Sequence, residues 1–241
     1  MKSWFEAGHV AIVTGGSRGL GKALARELLS LGVRTIIDAR DAGALKASAE
    51  ELRAYGNVVA IPGDVTNKDH VHTLVAAARD LGRLDLLVNN ASTLGAVPLP
   101  RVDELSQPTF RDIFDTNVFA PIHLMQHVLP LMRKSGGPAT IVNITSDAGV
   151  EAYPTWGGYG ASKAALEHVS RVTAAELADS SLRVLVADPG DMDTQMHRDA
   201  IPDADPSDLR DPADSAHALL YAIAHMKEPF ERVRLADLVL A

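Results

Sequence analysis

The chain has 241 residues, 23 of them basic and 31 acidic, for a net charge of -8, and no cysteine. That length suits one large α/β domain, and no Gly/Ser linker or charge block divides it, so residues 1–241 are expected to form a single domain. The acidic balance argues against a nucleic-acid partner, and the absence of thiols excludes disulfides and thiolate chemistry; with no basic-then-apolar leader and no run of about 20 apolar residues, a cytoplasmic protein is expected, neither secreted nor membrane-inserted.

The first unit reads as strand, glycine turn and helix. Val10–Val13 is a continuous apolar run, as in a strand covered on both faces, and Ala23–Leu29 has helical periodicity. Between them lies Thr14-Gly15-Gly16-Ser17-Arg18-Gly19-Leu20-Gly21. Gly15, Gly19 and Gly21 would permit a tight turn and close approach of backbone to a pyrophosphate, with the helix amino end attracting the anion. Their spacing, G-x-x-x-G-x-G, differs from the commoner G-x-G-x-x-G fingerprint. The second strand, Val33–Ile37, runs into Asp38-Ala39-Arg40-Asp41. At that tip a carboxylate suits a free adenosine ribose, and an arginine suits a 2′-phosphate. Both charges are present, and Arg18 offers a second guanidinium, so NADP(H) is favoured with NAD(H) as the alternative.

The theme then repeats. Ala42–Ala54 reads as helix, Val58–Ile61 as strand with Asp64 and Val65 beyond its end, Lys68–Leu81 as helix and Leu84–Val88 as strand. Asn89-Asn90-Ala91-Ser92 follows, amides that would hold neighbouring strand ends, line the adenosine cleft or simply form a turn. Such alternation means a parallel, doubly wound sheet with right-handed crossovers. A long helical region, about Gln107 to Arg133, is interrupted at Asp115-Thr116-Asn117-Val118. Asn117 would either face solvent or face the site, kinking the helix and holding a water. His123 and His127 stand four apart, but no nearby Asp, Glu or Cys completes a ligand set, so no metal is expected.

Thr140–Thr145 is another β-like run, ending at Ser146, where open α/β sheets place ligands. A Pro- and Gly-punctuated loop leads into a helix from Ala161 to Leu177. Tyr159 and Lys163, four apart where it begins, fall on one face. A neighbouring ammonium would lower the phenol from its usual pKa of about 10, making Tyr159 a general acid/base, and Ser146 could hydrogen-bond a substrate oxygen.

In these ordered motifs the chain resembles the short-chain dehydrogenase/reductase family, of the compact type with an Asn-Ser-Tyr-Lys active site. The motifs are Thr14 to Gly21, Asp64, Asn89-Asn90-Ala91, Asn117, Ser146, Tyr159 with Lys163, and Pro189-Gly190 with Thr194. The resemblance implies a Rossmann-like doubly wound sheet of about seven strands with helices on both faces. It implies that Tyr159 is the proton donor in reduction and the base in oxidation, that Lys163 lowers its pKa and binds the nicotinamide ribose, that Ser146 positions the carbonyl, and that Asn117 holds a relay water. Gly15, Ser17, Arg18, Gly19, Leu20 and Gly21 would meet the cofactor diphosphate side, Asp38 and Arg40 the ribose, Asp64 and Val65 the adenine, Asn90 the adenosine side, and Pro189, Gly190 and Thr194 the nicotinamide. The acid that selects NAD in this family usually occupies the position of Ala39, which strengthens the NADP(H) reading.

Ser92 departs from the family's usual glycine, and the usual glycine-rich carboxyl tail is missing. A homodimer through the helices beginning near Gln107 and Tyr159 is therefore expected over a tetramer. Substrate choice is expected in the irregular segments 93–105, 147–158 and 191–210, with Leu94, Tyr153, Trp156, Met192, Met196 and His197 as pocket walls. The acids at 191, 193, 199, 203, 205 and 208 suggest a solvated, mobile lid. The activity implied is interconversion of a secondary alcohol and a ketone. An epimerase or dehydratase that retains its cofactor, or a nucleotide-binding regulator without turnover, are the alternatives.

Overall fold

In the computed structural model, which describes residues 4–177 and 181–238, the apolar runs become the strands of one parallel sheet. They are β1 (Val10–Val13), β2 (Arg34–Ala39), β3 (Val58–Pro62), β4 (Leu86–Asn89), β5 (Ala139–Ile144), β6 (Leu182–Asp188) and β7 (Phe230–Arg234), in the order β3-β2-β1-β4-β5-β6-β7. The pleat sends alternate residues of β1 to opposite faces: Ala11 and Val13 join one core layer, Val10 and Ile12 the other. The first layer is closed by α1 (Gly19–Ser30), α2 (Ala42–Leu52) and, near the carboxyl end, a helix over Pro212–His225; Leu24, Leu28, Leu45, Leu219 and Ile223 are all buried there. The second is closed by α3 (Lys68–Asp80) and the helical stretch from Gln107 to Lys134, through Val71, Leu74, Leu124 and Val128. This is a Rossmann-like α/β fold, and strand order reverses direction between β1 and β4, opening a crevice at the strands' carboxyl ends.

Buried polar groups lock these strands together. Asp85 accepts the Val10 N–H at 2.9 Å and is gripped by the Arg83 fork, which holds the entrance of β4 against β1. At the other end Asn89 donates to Asn143 (2.7 Å), and Asn143 donates to Ser170 (2.7 Å). Of the roles open to the Asn89-Asn90 amides, holding strand ends is therefore the one Asn89 performs.

The stretch from Gln107 is α4 (Gln107–Phe114), a π-helical turn (Asp115–Phe119) and α5 (Ala120–Lys134). The irregularity falls where the polar interruption predicts it, and it buries Asn117. The next helix, α6 (Gly157–Glu176), starts four residues earlier than its propensity suggests. Its glycines are poor helix formers, yet a Cβ on Gly160 would lie 2.4 Å from the Ala148 carbonyl oxygen, so close packing on the preceding turn decides the boundary.

Segment 191–210 carries short helical structure and exposed acids. It contains α7 (Gln195–Ala200), and its two ends pair through Asp193 N–H to Arg210 O and Arg210 N–H to Asp191 O. Its acids are engaged locally: Asp193 pairs with Arg198, Asp199 accepts from Gln195, and Asp205 caps a short turn. Asp211 then caps α8 (Pro212–His225). α3 packs on α5 and sets His72 beside His123 and His127, a third imidazole that reading the neighbourhood of the pair along the chain does not reveal.

Candidate active site

A cleft of about 1290 Å³ occupies the crevice beside β1, β2 and β4. Its floor is the glycine turn. Gly15 and Gly19 have φ of +69° and +53°, in the left-handed region that favours glycine, and a Cβ on Gly21 would fall 2.4 Å from the Gly15 carbonyl oxygen. Arg18 caps α1 in an extended conformation with no side-chain cap bond, leaving the helix's first amides for an anion. The turn is held in place from below. Asn90 Nδ2 donates to Thr14 O (2.7 Å) and Gly15 O (3.3 Å), Thr14 Oγ1 accepts the Asn90 and Ala91 amides, and Ser48 donates to Ser17 O at 2.6 Å. These backbone cradles fit a dinucleotide diphosphate.

Asp38 lines the cleft, but its carboxylate is bonded on both oxygens beneath the glycine turn. Its side chain is only 1% exposed, one oxygen accepting the Gly15 N–H (2.8 Å) and the other lying 2.9 Å from His70 Nε2. Burial raises its pKa, and the bonds to His70 and Gly15 oppose the rise. The carboxylate expected at the strand tip is thus turned beneath the glycine turn. Arg18 and Arg40 remain on the cleft wall with Ala39. Among the described residues neither guanidinium is held in an ion pair, whereas Lys22, on the same wall, is tied to Glu51 and Arg198 to Asp193. Ser17, Leu20, Asp64, Val65, Asn90 and Thr194 also line the cleft. Asp64 folds its carboxylate into a local turn with Thr66, and Asn90 directs its amide donors to the glycine turn. Pro189 and Gly190 stand behind the wall: Pro189 O accepts from Ser215, and the Gly190 N–H donates to buried Asp188.

Beyond Ser92 of the cleft wall, Tyr159 and Lys163 occupy successive turns of α6, both buried and neither lining the cleft itself. Lys163 Nζ donates to Ile144 O at 2.9 Å and lies 5.3 Å from the centre of the Tyr159 ring. Burial holds the ammonium down to about 8, with Glu167 opposing. The phenol departs from expectation. Burial pushes Tyr159 up, a side-chain hydrogen bond with Ser92 works the other way, and Asp188 and Asp147 add to the rise. The ammonium sits over the ring and is bonded to a carbonyl, so it does not depress the phenol here, and the hydroxyl stays protonated through the neutral range.

Asn117 is fully committed. Its Nδ2 donates to Thr93 O and Ser162 Oγ, and its Oδ1 accepts from the Thr93 amide and Ser92 Oγ. The expected relay water would have to displace one of these partners or use another atom of the π-helical turn. Ser146 Oγ donates to Asp147 (2.9 Å) and accepts the Ala148 N–H. Two polar residues therefore join the site that the sequence reading left out of it. Ser92, noted only as a departure in a loop, touches both Tyr159 and Asn117. Asp147 holds Ser146, a contact whose one signal was adjacency in the chain.

Leu94, Trp156 and Met196 pack with Ala148 around Tyr159, Trp156 edge-on at 5.7 Å between ring centres, and Met192 and Met196 line the cleft. Leu94, Tyr153, Trp156 and His197 do not line it. Tyr153 is exposed, donates to Asp147 at 3.0 Å, and with Trp156 faces a separate depression of about 420 Å³. The His197 ring is turned towards Asp191, 3.5 Å away. No described helix is long and apolar enough to cross a membrane.

The comparisons agree with this architecture. The family model for short chain dehydrogenases matches residues 9–205. A Pseudomonas aeruginosa protein named as the rhamnolipids biosynthesis 3-oxoacyl-(acyl-carrier-protein) reductase is 40% identical over 197 residues, which are 80% of this chain and 76% of that one. The solved Pseudomonas aeruginosa RhlG/NADP active-site complex is similar with a TM-score of 0.85 and 32% identity over 97% of both chains. A 7α-hydroxysteroid dehydrogenase complexed with NADH and 7-oxo glycochenodeoxycholic acid gives 0.86 and 28%, covering 97% of this chain and 94% of that one. With its seven-stranded sheet, its glycine turn and a family match across most of its length, the chain belongs to the short-chain dehydrogenase/reductase family of oxidoreductases.

Proposed function

We propose that the protein is a carbonyl reductase that interconverts a ketone and a secondary alcohol, with NADP(H) preferred over NAD(H). The observation that carries this reading is the buried Tyr159 side chain bonded to Ser92, a residue of the wall of a cleft that also holds a diphosphate cradle and, among the described residues, two guanidiniums outside any ion pair. When bound, the nicotinamide supplies a hydride for the carbonyl carbon. Tyr159 donates its proton to the carbonyl oxygen, and Lys163, released from the Ile144 carbonyl, turns towards the phenolate that remains. Ser146, released from Asp147, donates a hydrogen bond to the same oxygen as its charge develops. Asn117 and Ser92 hold the Tyr159 hydroxyl in position. Leu94, Trp156 and Met196 favour apolar substituents beside the carbonyl. The names of the relatives, a 3-oxoacyl reductase and a hydroxysteroid dehydrogenase, both describe a ketone or its alcohol.

Arg18 and Arg40, with Ala39 ending β2 just before Arg40 and with the Asp38 carboxylate turned away, support NADP(H). Titration with each reduced nucleotide, followed by nicotinamide fluorescence, tests this directly. Arg40→Ala is expected to weaken NADPH by about 10- to 100-fold, the worth of a charge-assisted bond, and to leave NADH nearly unchanged. Equal losses for both would remove Arg40 from the phosphate site. We also propose a homodimer through α4 and α6, supported by the exposed apolar side chains of Phe110, Phe119 and Val172; light scattering of the purified protein tests it.

A further inference from the structure

We infer that His72, His123 and His127 form a binding site for a borderline divalent transition-metal ion such as Zn²⁺, bridging α3 and α5 apart from the cofactor cleft. His123 and His127 are one helical turn apart on the same face of α5, and His72 reaches them from α3. One ring nitrogen from each lies within 4.8 Å of the others, and the ring centres of His123 and His127 are 4.2 Å apart, those of His72 and His127 4.9 Å. None of the three lines the cleft.

Two details mark these rings as ligands in waiting. His127 Nδ1 lies 2.8 Å from the His123 carbonyl oxygen; assigned as the N–H tautomer it donates there, and its Nε2 lone pair is left for an ion. That is how a metal-binding imidazole is oriented by a backbone carbonyl. His123 Nε2 is buried and has no hydrogen-bond partner among the described residues, a costly condition that a metal bond relieves. Three imidazoles with no carboxylate among them select Zn²⁺, Co²⁺, Ni²⁺ or Cu²⁺ over Mg²⁺ or Ca²⁺. Metal–nitrogen bonds of about 2.0–2.1 Å need nitrogens about 3.3 Å apart, a closure that the exposed His72 side chain makes by rotation, and a tetrahedral ion keeps one position for water. The ion would fasten α3 to α5, whose first turn continues from the π-helical segment that carries Asn117.

The test uses untagged full-length protein, stripped with a chelator and titrated with Zn²⁺ by calorimetry and with Co²⁺ by visible absorbance. We expect one ion per chain, the intense d–d bands of a four-coordinate cobalt site and a thermal midpoint that rises with zinc. His72→Ala and His127→Ala should each weaken binding by about tenfold or more, since each removes one of three ligands. His168→Ala, an exposed histidine on α6, should change nothing. NADPH binding and far-ultraviolet circular dichroism report separately that the variants remain folded. No saturable binding, an affinity unaltered in a His72→Ala/His127→Ala double variant, or one ion per two chains would overturn the site.

Discussion

The two ends of the site are built in opposite ways. The cofactor end is made of backbone: glycines in left-handed conformations, an uncapped helix terminus, and a turn fastened from beneath by Asn90, Thr14, Ser48 and Asp38. The other, reached past Ser92 and proposed to take the substrate, is made of side chains from two loops and α7, Leu94, Trp156 and Met196, with Asp147 holding Ser146 through a contact that a ligand can exchange. The first is shaped before any ligand arrives, because its bonds are internal and its packing leaves no room for a Cβ. The second takes its shape from residues that can be replaced without disturbing the strands. One architecture can therefore keep its cofactor while its substrate changes.

The sharpest way to break this comparison is at the boundary between the ends. Tyr159→Phe is expected to lower turnover by about 10²- to 10⁴-fold, the usual worth of a positioned acid, while NADPH affinity is nearly unchanged. Steady-state rates beside a fluorescence titration measure both, and comparable turnover in the variant would remove the proton-transfer role. Next in size is Gly21→Ala. Its Cβ would meet the Gly15 carbonyl oxygen at 2.4 Å, so the turn must shift, at a cost of about 1–3 kcal/mol in stability together with weaker nucleotide binding. A variant that binds as wild type and melts at the same temperature would show that the cradle is softer than argued.

A pH effect of similar size follows from Lys163. Its folded pKa of about 8 lies below the ordinary 10.5, so between those values the unfolded chain holds the extra proton. Stability therefore rises as pH increases through this window and is lost as pH falls through 8. Urea unfolding of the nucleotide-free protein should show about 2 kcal/mol more stability at pH 9.5 than at 7.5, relative to Lys163→Met. The same slope in both proteins would mean that the ammonium is better solvated than its burial implies. Tyr159 acts the other way above about pH 10, where only the unfolded phenol ionises, so the window ends there. The smallest effect belongs to Tyr153→Phe. An exposed side chain facing the second depression should alter KM for a ketone by less than about 0.5 kcal/mol, and a larger change would return Tyr153 to the substrate pocket.

Much of this was legible from residue order because it is local. Apolar runs alternating with helical periodicity specify a parallel sheet wherever crossovers must be right-handed, and a glycine turn between strand and helix specifies an anion-binding backbone. Tyr159 and Lys163 share a face because four residues make about one helical turn. What side chains do to one another across elements needed the fold. Asp38 reads as a free carboxylate at the strand tip until β2 and α3 are packed and His70 is found against it. Ser92 reads as a loop substitution until Tyr159 and Asn117 are seen around it. The expected depression of the Tyr159 pKa reversed because helical spacing sets which face Lys163 shares, whereas burial and the Ile144 carbonyl set where its charge resides. His72 stands far along the chain from His123 and His127, and only the packing of α3 on α5 brings the three together. Sequence by itself determined the backbone, whose conformations depend on neighbours in the chain. The tertiary structure decided the partners of its polar side chains, because burial and hydrogen bonding depend on neighbours in space.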